Sequence, residues 1–71
     1  MNPIALIIVG LGMNGQLLFT EKANGYLDYN TCLNAITDYD ARLTWAVKRG
    51  MLRVNGEVVA KIQFSCQEKK S

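Results

Sequence analysis

The residues of this chain that could do chemistry are few and scattered. There is no histidine, so general acid–base work would fall to carboxylates, lysines, tyrosines or cysteines. Asp38 and Asp40 stand close enough in sequence to suggest a carboxylate pair. Residues two apart on a helix point in well-separated directions, however, and both suit a helix cap without a catalytic role. "GLGMNG", Gly10 to Gly15, spells Gly-x-Gly-x-x-Gly after an apolar stretch. A dinucleotide fingerprint also needs a helix opening there, inside a βαβ unit. The following "QLLFTEKANG" is a short, poor helix ended by its own Asn-Gly turn, and the chain is too small for a Rossmann domain. These glycines read as turn and bulge residues. No catalytic residue, cofactor or small-molecule substrate is expected, and the chain reads as no enzyme.

Cys32 and Cys66 are the only cysteines. Two cannot build a disulfide framework, and without histidine they do not complete a zinc site, so no metal is expected. A single Cys32–Cys66 bridge is open to the chain, but nothing in the sequence points to an oxidising compartment. Cys32 falls on an apolar helix face and reads as a small buried hydrophobe.

The better candidate for function is a surface. Arg42, Trp45 and Arg49 recur at i, i+3 and i+7 on one helix, beside its apolar stripe, and Lys48 and Arg53 extend the positive patch. Trp and Arg are common interface anchors, so the expected role is binding another protein, or self-association as a homodimer. A second reading is DNA. If the helix breaks at "TDYD", then "YNTCLNAI", a turn and "ARLTWAVKRGML" form a helix-turn-helix with a β-wing, as in a small regulatory protein of a mobile element. Asp38 and Asp40 oppose it, because they occupy the helix end that would meet the bases. The net charge, +2 from 8 basic and 6 acidic residues, is also far weaker than a nucleic-acid binder usually carries.

The elements that must position this surface follow from the wider pattern. The chain has 71 residues, 49% of them hydrophobic, enough for one small core. Residues 1–64 read as a single compact domain and 65–71 as a polar tail. The fold class expected is α+β: an N-terminal β-hairpin, a long or broken central helix, and a C-terminal β-hairpin. This ββαββ-like order has a winged helix as its second choice. "PIALIIVGLGM" is too short to span a bilayer and lacks a basic leader, so it reads as a buried strand in a cytoplasmic protein with no membrane contact. Three Asn-Gly pairs, at 14–15, 24–25 and 55–56, read as turns.

Asp28 is the expected N-cap of the helix, with apolar positions from Cys32 to Val47 at helical spacing and Gly50 as its stop. In "RGMLRVNGEVVAKIQF" the period-two alternation favours a bulged three-residue turn. That register pairs Arg53 with Glu57, and puts Leu52, Val58, Ala60, Ile62 and Phe64 on one core-facing side.

Overall fold

A computed structural model describes residues 3–68. Its elements run β1 (Ile4–Leu11), β2 (Leu17–Tyr26), α1 (Tyr29–Lys48), β3 (Arg53–Val54), β4 (Glu57–Val58) and β5 (Lys61–Glu68). The architecture is α+β, as expected. β1 is the centre of a three-stranded antiparallel sheet in the order β2-β1-β5, and β3 and β4 form a separate two-stranded ribbon. The apolar N-terminal stretch is therefore the central strand. Among the described residues no helix is long and apolar enough to cross a membrane.

Alternation along β1 sorts its residues between two faces. Ile4, Leu6 and Ile8 point to α1 and form the buried core with Cys32. Phe19, Ala23 and Tyr26 from β2, Ala35, Ile36 and Leu43 from α1, and Ile62, Phe64 and Cys66 from β5 pack around them. Gly10 continues this face opposite Phe19. The Phe19 ring fills the space a side chain at residue 10 would occupy, so the glycine here serves close packing. The other sheet face carries Ile7, Val9 and Leu11, paired with Lys22, Thr20 and Leu17 on β2 and with Ser65, Gln63 and Lys61 on β5.

Of the three Asn-Gly pairs, two are turns. Asn14-Gly15 closes the β1–β2 connection, where Gly15 N–H donates to the Gly12 carbonyl at 3.0 Å. Asn24-Gly25 lies inside β2, where Ala23 pairs with Leu6 but Tyr26 with Ile4. The extra residue is absorbed as a bulge with Gly25 at φ 97. A bulge and a turn ask for the same positive φ, so the dipeptide alone does not separate them.

α1 is one unbroken helix of 20 residues. Asp28 caps it: its carboxylate accepts from the Thr31 N–H at 2.8 Å and from the Thr31 hydroxyl at 2.9 Å. These bonds favour the charged form and hold the Asp28 carboxyl below its ordinary pKa. No second cap forms at Thr37–Asp40. The Thr37 hydroxyl donates back to the Leu33 carbonyl, and the Thr44 hydroxyl donates to Asp40 Oδ1. The polar residues of "TDYD" thus find partners one helical turn away, and the helix-turn-helix is not formed. At the other end Gly50 N–H donates to the Val47 carbonyl and Met51 N–H to the Ala46 carbonyl, both at 3.0 Å. This 5→2 and 6→1 pattern is a Schellman cap, with Gly50 as the expected stop.

The C-terminal hairpin departs furthest from expectation. Arg53 pairs with Val58 and Val54 with Glu57 around a two-residue loop. Asn55 and Gly56 both have positive φ, at 52 and 85, the type I′ geometry that matches strand twist. The bulged turn and the Arg53–Glu57 pairing are therefore not found. Alternation misled because it runs across two strands: the chain leaves the ribbon after Val58 and starts β5 at Lys61. Val59, left out of the expected core face, is fully buried, and Ala60, assigned to it, is exposed. β5 pairs with β1 instead of with the ribbon. Residues 65–68, read as part of a polar tail, are the end of β5, and 69–71 lie outside the described residues.

Cys32 and Cys66 form a disulfide that ties the first turn of α1 to β5. The bridge that the sequence left open is thus formed, and Cys32 is fully buried, as its place on the apolar helix face implied. The bridge spans 34 residues, for which the chain-entropy account gives about 4 kcal/mol. That is comparable with the ~3–5 kcal/mol a core of this size supplies. Treatment with a dithiol, or Cys32→Ala with Cys66→Ala, should lower the melting temperature by more than about 10 °C. Circular dichroism melts with and without reductant measure this; coincident curves would show that the core does not need the bridge.

Candidate functional site

The continuous helix decides which of the expected surface residues meet. Asp38, Arg42, Trp45 and Arg49 follow one another at helical spacing along a single stripe. Arg42 reaches Asp38 at 3.3 Å, both side chains being largely exposed. The acid lies four residues before the base, the favourable order on a helix. Arg49 lies with its guanidinium carbon 4.7 Å from the centroid of the Trp45 ring, a cation–π contact. Trp45 remains 53% exposed, so the indole is a surface group held by a neighbouring arginine.

The other two residues go elsewhere. Lys48 turns to the opposite flank of the helix and lines a shallow cleft of about 280 Å³ with Thr44, Val47, Ala60, Lys61 and Ile62. Arg53 sits exposed on the separate β3–β4 ribbon, opposite Val58. Three of the five expected residues, Arg42, Trp45 and Arg49, therefore form one stripe, and its charge is tempered by Asp38. Lys61 joins Lys48 at the cleft although it lies thirteen residues further on. No spacing rule in the sequence connects them, because a ribbon intervenes.

More apolar surface is exposed than the stripe accounts for. Leu27, Tyr29 and Leu33 are open at the start of α1, Met13 and Leu17 at the β1–β2 connection, and Met51 beyond the helix. Comparison with protein-family models, with curated proteins and with solved structures finds no match to this chain.

The exposure of the stripe has an energetic corollary. Trp45→Ala should change stability by less than about 1 kcal/mol, far below the ~3–5 kcal/mol of a core tryptophan. Arg42→Ala should cost no more than about 0.5 kcal/mol, as for other exposed helix pairs. Urea unfolding followed by circular dichroism reads both; a loss near the core value at Trp45 would give it a packing role instead.

Proposed function

We propose that this protein is a small non-enzymatic binding module that engages another protein through the Asp38–Arg42–Trp45–Arg49 stripe of α1. The observation that carries this reading is the Trp45–Arg49 pair: a half-open indole with a guanidinium on its ring, displayed on a rigid helix. Trp and Arg are the residues most enriched at interface hot spots. Holding them in place before contact reduces the side-chain ordering that binding must offset. The mixed charge of the stripe fits a protein surface better than a phosphate backbone, which rewards unpaired cations.

A photoreactive residue placed at Ala41, one turn before Trp45, tests this in the native host. One discrete protein adduct is expected, lost when Trp45→Ala and Arg49→Ala are added, and absent when the probe is moved to Asn14. Adducts to nucleic acid, together with salt-sensitive binding to random duplex DNA, would replace the protein reading with the DNA one. Equal adducts from both probe positions would remove the stripe as a site.

The disulfide also supports a location different from the cytoplasm expected from sequence, since lasting bridges in small domains belong to oxidising compartments. Alkylating intact cells before and after reduction reports the state of Cys32 and Cys66. The cysteines should be protected until reduced; free thiols would favour the cytoplasm.

A further inference from the structure

We propose that two copies of this chain associate through the outer edge of β5, joining their sheets into one of six strands. This surface is distinct from the Arg/Trp stripe and does not rest on it. The two edges of the sheet are built differently. β2 is blunted in the usual ways: its register shifts at Asn24-Gly25, and Glu21 and Lys22 stand in mid-strand. β5 has none of these devices. Its eight residues keep unbroken register with β1, and between Lys61 and Glu68 there is no charge and no proline. Between its charged ends such an edge presents backbone donors and acceptors ready to pair.

The sequence of β5 favours a second copy as the occupant. Antiparallel pairing about a twofold axis at Phe64 sets Gln63 opposite Ser65 of the other copy, and Ile62 opposite its Cys66. Lys61 then lies opposite Gln67, at the end of the pair where the other copy's Glu68 emerges. No like charges face each other along the pair.

The helix flank above this edge supplies an independent indication. Thr44 and Val47 look across the cleft at Ala60 and Ile62, so this flank faces the β5 side. Leu33, Thr37, Asp40 and Thr44 share the flank at helical spacing, and Leu33 is 52% exposed. It adjoins Cys32, whose bridge to Cys66 fixes its level along β5. A strand added at ~4.8 Å from β5 would pass beneath Leu33 and bring Ile62 of the second copy to it. Two helices placed over adjoining β5 strands come within about 10–15 Å, close enough for their flanks to meet. The pairing thus covers an apolar side chain that the single chain leaves open.

Sedimentation over a wide concentration series tests the pairing. The wild-type chain should pass from monomer to dimer. Gln63→Lys with Ser65→Lys, and separately Gln63→Glu with Ser65→Glu, should each abolish the dimer by placing like charges opposite one another. Both positions lie on the open sheet face, so melts should confirm that the variants stay folded. Mixing the two variants should restore a dimer containing one of each. A wild-type monomer at every concentration, a dimer that survives both sets, or a mixture that stays monomeric would overturn the proposal. Trp45→Ala should leave the dimer intact; its loss there would move self-association to the helix stripe and overturn the edge.

Discussion

The Cys32–Cys66 bridge is the constraint on which the rest depends. Beyond it, α1 is held to the sheet by one narrow apolar side, chiefly Ala35, Ile36 and Leu43 against Ile4, Leu6 and Ile8. A helix laid on three strands buries only that side, and among the described residues no second layer covers the rest. The covalent tie sits at the start of α1, and the Schellman cap leads from the helix end into the ribbon and β5. The helix is thereby anchored at one end by a bond and at the other by the path of the chain. Its outward stripe can then carry Trp45 and the arginines without contributing to the core.

The sheet sorts charge as well as hydrophobicity. Glu21 pairs with Ile8 and Glu68 with Ile4, on the helix side. Lys22 and Lys61 flank Ile7 and Leu11 on the open side. Acids and bases of this sheet are thus separated by the pleat, and the open face is an apolar stripe with one lysine on each side. The helix stripe has the opposite design, with Asp38 placed to offset Arg42. The two outer surfaces of this small domain therefore differ in electrostatic character even though the net charge is only +2.

Much of the fold was legible where one local signal stood alone. The Asp28 cap, the Gly50 stop, the apolar first strand and the α+β order each rest on chemistry within a few residues. Legibility failed where two local signals competed or where the answer was distant. "TDYD" resembles a cap, but Thr37 and Asp40 are satisfied within the helix. The alternation from Val58 to Phe64 reads as one strand because nothing in those residues announces that β5 will leave Val58 and join β1. The disulfide, named as open to the chain, stayed undecided for the same reason: Cys32 and Cys66 become neighbours only once β5 pairs with β1. Of the candidate surface, helical spacing correctly grouped Arg42, Trp45 and Arg49. It did not place Lys48 and Arg53, whose positions depend on packing beyond the helix.

The separate β3–β4 ribbon has a consequence for how the molecule forms. It stands between α1 and β5, and the final strand runs antiparallel to the first. Ile4 ends beside Glu68, so one side of the central strand is completed by residues made more than sixty positions later. Closure over so long a stretch is slow compared with the hairpin and helix that precede it. Until β5 arrives, β1 offers an open apolar edge and Cys32 has no partner. Until that pairing, hairpin and helix exist without a complete sheet between them, and the docking of β5 on β1 is the event that converts them into a domain.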